Sequence, residues 1–236
     1  SVGSFLIETY SITFIQFSIE RLKHKKAHDR ILRAIEKVQA DVLILTETDE
    51  RVHPPYQYSV HTRRLCEAPA EYTLPSIYAS SENRVSVFSI YPIVGEYETY
   101  DPYTAICPDI ETPWGCLLLY GTIIGIMGNR RPSYKIDLLR QCDDIKRLSA
   151  VGDLCVCGDY NCSFADNYYF TNFGRNTLLQ TFAETQIELL TKSQLECIDH
   201  IAISRNFISG DKISITEWNF NKMLSDHKGI IADIRT

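Results

Sequence analysis

The sequence predicts an α/β fold in which two β-sheets pack face to face, a β-sandwich flanked by helices. Three observations predict it. Short apolar and β-branched runs of strand length recur from Ser11 to Ile234. Only two or three stretches carry the 3.6-residue periodicity of a helix with one buried face. Sheets that outnumber helices in this way bury their apolar faces most economically against each other. Third, several strands end in acidic groups or histidine, so the sandwich is expected to gather polar side chains at one rim.

In chain order, Ser11–Phe17 mixes alternation with β-branched and aromatic residues and is expected as the first long strand. It leads through Ser18, Ile19 and Glu20 into a basic stretch, Arg21 to Arg33, and a helix over 27–39. That helix sets Ile31, Leu32, Ile35 and Val38 on one stripe. Asp41–Leu45 reads as a buried strand ending in Thr46-Glu47-Thr48. Residues 51–75, rich in Pro, Tyr and charge, predict a long loop with short strands. Arg84–Ile90 alternates and stops at Tyr91-Pro92, a strand followed by a turn.

Val94–Tyr100 and Tyr103–Ile110 suit a hairpin, and Cys116–Thr122 another strand. A glycine-containing loop with Asn129, Arg130 and Arg131 precedes Pro132, which suits the first turn of a helix running to about Leu148. Ile136, Leu139 and Ile145 are spaced there for one buried face. Leu154–Cys157 is a buried strand that breaks at Gly158. A helix over Thr171–Ala183 follows. Strands at Ile187–Leu190, Glu196–Ile203, Ile213–Trp218 and Gly229–Ile234 complete the chain.

The 236 residues, 44% hydrophobic and 23% charged, are enough for one substantial core, and a single domain over 1–236 is expected. A net charge of -6 argues against broad attraction to nucleic acid, although a local basic patch could still hold a phosphate. No apolar run reaches the roughly 18 residues of a membrane span. None of the eight cysteines forms a Cys-x-x-Cys pair, and Cys155 and Cys157 share one face of a strand. Buried thiols fit this pattern better than disulfides or zinc, and a cytoplasmic protein is expected.

Gly158-Asp159-Tyr160-Asn161 places an Asp and an Asn two apart at a strand end, which suits phosphoryl chemistry. One side chain takes a proton from water or holds a cation; the other donates a hydrogen bond. In isolation such a motif is more often an ordinary Asx turn. Three further segments share its character: Thr46-Glu47-Thr48, Ile198-Asp199-His200 and Ser225-Asp226-His227. In this order and spacing the four segments resemble those of the endonuclease/exonuclease/phosphatase superfamily, the metal-dependent group that includes deoxyribonuclease I. Arg84–Ile93, with its Tyr-Pro turn, and the strand ahead of Gly121 are similar to the family's strands. The resemblance spans residues 12 to 234.

That resemblance implies a deoxyribonuclease I-like fold and a hydrolase of phosphoric esters that depends on Mg²⁺, or alternatively Mn²⁺. Magnesium takes oxygen ligands at about 2.0–2.1 Å and keeps several waters, so one or two carboxylates suffice. Glu47 is implied as the first ligand, with Glu20 or Asp226 assisting. Asp159 would orient or deprotonate the attacking water, and Asn161 would contact a phosphate oxygen. Asp199 would orient His227, which polarises the phosphoryl oxygens. His200, next to Asp199 on a strand, would face the other way and serve the structure.

Two departures bear on substrate binding. The family usually carries an asparagine where the first strand ends, and Ser18 stands in that place; its shorter hydroxyl weakens positioning of a metal-bound water or phosphate. Thr122 occupies the place of a histidine or tyrosine, with Arg130 and Arg131 available as phosphate clamps. The basic run Arg21–Lys26 would be solvated or would contact a phosphate backbone. A phosphodiester, of nuclease type and with nucleic acid as partner, is the expected substrate. A phosphomonoester, phospholipid or inositol phosphate is the alternative, and Ser18 also leaves open a binding protein with weakened catalysis.

Overall fold

A computed structural model describes residues 11–22, 28–69, 77–210 and 212–235. Among these residues twelve strands form two six-stranded sheets. Sheet one contains β1 (Ser11–Ser18), β2 (Val42–Asp49), β3 (Tyr58–His61), β4 (Glu82–Ser89), β11 (Lys212–Trp218) and β12 (Gly229–Arg235), in the order β11-β12-β1-β2-β4-β3. Sheet two contains β5 (Ile93–Tyr97), β6 (Ala105–Thr112), β7 (Gly115–Ile123), β8 (Leu154–Asp159), β9 (Ile187–Leu189) and β10 (Asp199–Ser204), in the order β5-β6-β7-β8-β10-β9. Each sheet has one parallel pair, β1 with β2 and β7 with β8, and its other pairs are antiparallel. Both parallel connections run through a helix, α1 (His28–Val38) and α2 (Ser133–Ser149), as a parallel crossover requires. A third helix, α3 (Asn172–Glu184), is capped by Thr171, whose hydroxyl accepts from Gly174 N at 3.0 Å.

Alternation along the strands sorts the apolar residues into three layers. Ile12, Phe14, Val42, Ile44, Val85 and Val87 of sheet one meet Leu117, Leu119, Cys155, Cys157, Ile201 and Ile203 of sheet two between the sheets. The intervening residues Ile15, Phe17, Leu43 and Leu45 face outward, under Ile31 and Ile35 of α1. Leu118, Tyr120, Leu154 and Val156 face outward from sheet two, under α2 and α3. The fold class is therefore the one expected: two sheets flanked by helices. All eight cysteines are free, six of them buried. Among the described residues no helix is long and apolar enough to cross a membrane.

Three details depart from the sequence expectations. Ile136 and Leu139 of α2 are exposed; the inner face is Tyr134, Leu138, Gln141, Cys142, Ile145 and Leu148. Gln141 belongs there because it accepts a hydrogen bond from Thr122 and donates to Ile123 O, an exchange that a count of apolar residues does not register. The strand expected from Glu196 begins at Asp199, because Glu196 is left-handed (φ 48) and ties its N–H to Asp166 at 2.7 Å. The hairpin strands are Ile93–Tyr97 and Ala105–Thr112, joined by a loop in which Asp101 bonds Tyr103 N and Thr104 Oγ1. The basic run expected over Arg21–Lys26 extends into residues 23–27, outside those described, as does the start of the helix expected from residue 27.

Candidate active site

The alternation that fills the core also delivers the site. On β1 the inner-face series Ile12, Phe14 continues as Gln16 and Ser18, and on β2 Val42, Ile44 continues as Thr46 and Thr48. Across β4, Val87 and Val85 give way to Asn83, the register partner of Thr48. Sheet two changes character at the same end. Cys155 and Cys157 of β8 lead to Asp159, and Ile203 and Ile201 of β10 lead back to Asp199, its direct partner in the antiparallel register. Two carboxylates thus face each other across adjacent strands, at 7% and 2% exposure, where like charges destabilise.

Gln16 joins the sheets. Its Nε2 donates to Asp199 Oδ1 at 2.8 Å and to Thr46 Oγ1 at 3.3 Å. The other oxygen of Asp199 accepts from His227 Nδ1 at 2.6 Å; a carboxylate only accepts, so Nδ1 carries the proton. His227 sits in the turn between β11 and β12. Ser225 Oγ accepts its N–H at 3.2 Å, and Asn219 Nδ2 donates to Ser225 O and His227 O at 2.9 and 2.7 Å. Burial alone would lower the pKa of His227. The charge and hydrogen bond of Asp199, joined by Asp159 and Asp226, outweigh it and hold the ring well above its ordinary value, as imidazolium.

Asp159 is shifted in the same direction for the opposite reason. Burial first, then the charge of Asp199, push its carboxyl well above the usual carboxylate range, and Glu47 adds to the push. His227 and the N–H of Asn161, which donates to Asp159 Oδ1 at 2.7 Å, only partly offset this. Glu47 adopts a left-handed backbone (φ 46) within β2, between Thr46 and Thr48, whose pairing with Val85 and Asn83 keeps the register on either side. The charge of Glu47 acts on Arg21, in the turn after β1, as well as on Asp159.

Glu20, Arg21 and Leu22 form a single left-handed turn, with φ of 51, 55 and 51. Arg21 is pinned by Glu82 at 2.7 Å and lies over the Tyr78 ring at 4.3 Å. Glu20 is buried, and its Oε2 accepts the N–H of Asp226 at 3.1 Å. The carboxylate of Asp226 is exposed, 3.5 Å from His227 Nε2.

Searches by sequence find no matching family model and no matching curated protein. Comparison of the fold gives a clear result. An endonuclease/exonuclease/phosphatase from Beutenbergia cavernae superposes with a TM-score of 0.70 at 14% identity, over 95% of this chain and 71% of that one. The AP endonuclease of Leishmania major gives 0.66 at 12% identity, over 96% and 88%. A 3′ phosphatase from Neisseria, bound to a product DNA hairpin, gives 0.67 at 12%, over 94% and 98%. The chain has the endonuclease/exonuclease/phosphatase fold. At these identities the likeness fixes the architecture alone.

Within that deoxyribonuclease I-like fold, the sequence-predicted residues separate into three groups. Glu47, Asp159, Asp199, His227 and Asp226 come together at one rim. Asn161 stands beside Asp159, but its amide hydrogens are occupied: Nδ2 donates to Ile124 O, Gly125 O and Asp159 Oδ2 at 3.0, 3.1 and 3.3 Å. It clamps the loop after β7 to Asp159, and the expected donation to a phosphate oxygen is not available in this arrangement. Thr122 is corrected outright. By alternation it lies on the outer face of sheet two with Tyr120, fully buried, and gives its hydroxyl to Gln141 Oε1 at 2.5 Å. Ile123, not Thr122, pairs with Asp159.

Ser18 is on the inner face but fully buried, and its hydroxyl has no partner among the described residues. Arg130 and Arg131 are exposed in the loop ahead of α2. His200 faces away from the site, donating to Cys162 O at 2.8 Å while Thr191 Oγ1 lies 2.7 Å from Nδ1; burial lowers its pKa to about 4 and keeps it neutral.

Two residues of the site were not anticipated. Gln16 carries an amide on the same face of β1, two residues before Ser18; alternation gives its face, but its bond to Asp199, 183 positions away, leaves no local signal. Asn129 donates from Nδ2 to Asn161 O at 2.8 Å and is buried. Nothing in its local sequence distinguishes it from a loop asparagine.

Among the described residues no three His, Cys, Asp or Glu side chains converge as a ready metal cage. A magnesium ion does not require one. The oxygen donors at this rim suit a hard cation: the carboxylate of Glu47, and the buried Gln16 Oε1, which has no hydrogen-bond partner among the described residues. The raised pKa of Asp159 points the same way, because a cation would relieve the mutual repulsion of Asp159, Asp199 and Glu47.

Proposed function

We propose that the chain is a divalent-metal-dependent phosphoric ester hydrolase acting on a phosphodiester, of nuclease type. The observation that carries this reading is the Asp159–Asp199–His227 constellation, in which a buried carboxyl and an imidazolium held by its own carboxylate share one rim. Glu47, assisted by Asp226, would hold Mg²⁺ or Mn²⁺, whose charge would offset that of the phosphate. Glu20, buried and joined to Asp226 through that residue's N–H, is the other carboxylate that would assist.

Asp159 Oδ takes the proton from a water aligned for in-line attack as the new P–O bond forms and the ester P–O bond breaks, the leaving oxygen carrying off the bonding pair and taking a proton from solvent. In its ionised form, which a bound cation would favour by offsetting the charges of Asp199 and Glu47, it is a stronger base than an exposed carboxylate would be. His227 donates from Nε2 to a phosphoryl oxygen as charge builds there, while Asp199 keeps the ring charged and oriented. Gln16 and Ser225 keep Asp199 and His227 in register.

The test is turnover of DNA, RNA and a bis-nitrophenyl phosphate with Mg²⁺ or Mn²⁺. Asp159→Asn and His227→Gln should each lower kcat by ~10²–10⁴-fold. Absence of wild-type turnover on all three substrates with either metal defeats the proposal. Activity recovered only in Ser18→Asn would identify a chain whose catalysis that serine has weakened.

A further inference from the structure

Beside His227 lies a narrow cleft of about 100 Å³, lined by Tyr168, Glu196, Asp199, Lys222 and Asp226 among others. Its outer edge differs in character from its floor. There Tyr168 is 49% exposed beside the exposed Lys222; Phe220 and Met223, on the same turn as Lys222 but outside the cleft lining, are 67% and 53% exposed. Lys222 Nζ donates to Tyr168 Oη at 3.3 Å and stands 5.6 Å from the centre of the Tyr168 ring.

The next residue, Tyr169, reaches the opposite way. Its Oη accepts from Asn129 N at 3.2 Å, in the loop that carries Arg130 and Arg131. Gly128 allows that approach: its φ is +85, and a Cβ there would lie 2.6 Å from Tyr169 Oη. The two tyrosines are therefore a bridge between two basic loops, one on the His227 side of the reacting centre and one on the Asn161 side.

The bridge is preformed. Ser163 N donates to Tyr169 O at 2.7 Å, Arg175 Nε to Ser163 O at 2.9 Å, and Glu196 N to Asp166 Oδ2 at 2.7 Å. An exposed aromatic ring, held in place with a lysine at its edge and arginines on the far side of the reacting centre, matches a chain that alternates flat rings with phosphates. A single headgroup would need cations on one side only.

The geometry points to a track for a single nucleic-acid strand, which crosses the site with a base against Tyr168, a phosphate at Lys222 and a second phosphate at Arg130 and Arg131. This inference rests on the phosphodiesterase reading and names its substrate: a strand that continues on both sides of the scissile phosphate.

The test uses fluorescein-labelled oligothymidylates of increasing length, bound in EDTA and cleaved with Mg²⁺, alongside the bis-nitrophenyl phosphate. Affinity should rise with length and then level off. Lys222→Ala should lower the slope of log affinity against log salt by about 0.7, the loss of one phosphate contact on a single strand. Tyr168→Ala should weaken binding at least about fivefold, the lower end of a base-stacking contact. Both variants should lose several-fold more activity on the strand than on the small diester.

Two results separate the inference from the function on which it rests. Strand binding that follows length and Lys222, without hydrolysis of either substrate, supports the track and defeats the hydrolase. Hydrolysis of the diester, with strand binding indifferent to length, Lys222 and Tyr168, overturns the track and leaves the hydrolase standing. Capture of the protein by phosphatidylserine vesicles, abolished by Phe220→Ser, together with length-independent strand binding, also overturns the track in favour of a lipid substrate.

Discussion

At the scale of single residues, the unusual feature is the left-handed turn at Glu20, Arg21 and Leu22. Each non-glycine residue in this conformation costs about 1–2 kcal/mol. The turn is held by the burial of Leu22, the Arg21–Glu82 ion pair and the bond from Asp226 N to Glu20. Only the last of these reaches the site, because Asp226 is followed by His227. Glu20→Gln keeps an acceptor oxygen for that N–H and should hold kcat within about threefold. Glu20→Ala leaves the N–H without its partner and frees the Ser225–His227 turn; kcat should fall about tenfold while KM hardly moves. Steady-state kinetics of the pair decides it. Equal losses in both variants would make the carboxylate charge, and not the positioning bond, the operative feature.

At the scale of elements, α2 shows what the sequence disclosed and what it withheld. Its existence and length were legible from Pro132 and the apolar spacing. Its rotational phase was not, because Tyr134 and Gln141 occupy the inner face while Ile136 and Leu139 point to solvent. Ile136→Lys and Leu139→Lys should therefore each change stability by less than about 0.5 kcal/mol. Ile145→Ala, at a fully buried position, should cost about 2–5 kcal/mol. Urea midpoints of the three variants measure this directly. The same logic explains the site. Asp159, Asp199 and His227 were legible because each closes a strand or precedes one, and a strand end is recognisable from its own few residues. Thr122 was misassigned because its role depends on which sheet face it occupies, and that parity is fixed by β8 and α2, not by its neighbours in sequence. Gln16 was missed for the complementary reason: its importance lies in Asp199, 183 positions away.

At the scale of the whole molecule, the site lies where the two sheets lose their apolar filling, so its electrostatics and the stability of the sandwich are coupled. Asp159 and Asp199 sit in direct register on adjacent strands, and Gln16 ties that pair to the opposite sheet. The raised pKa of Asp159 has a definite thermodynamic sign. The folded chain holds this proton more tightly than the unfolded chain, so the native state loses stability as pH rises from the ordinary carboxylate value towards the folded one. Asp159→Asn removes the titration and the repulsion together. The variant should be inactive yet more stable, with an advantage small near pH 4 that grows as pH rises. Each kcal/mol gained should appear as about 2–4 °C in Tm for a chain of this size. On the proposed function a divalent ion would give the wild type the same relief: Mg²⁺ at ~100 times its Kd should add about 2.7 kcal/mol, and Glu47→Gln should blunt that gain. Thermal melts across pH, with and without Mg²⁺, read both effects without any substrate. An Asp159→Asn protein that melts below the wild type at pH 8 would mean that the carboxylates at the rim are already satisfied by the fold, with no charge left for a cation to neutralise.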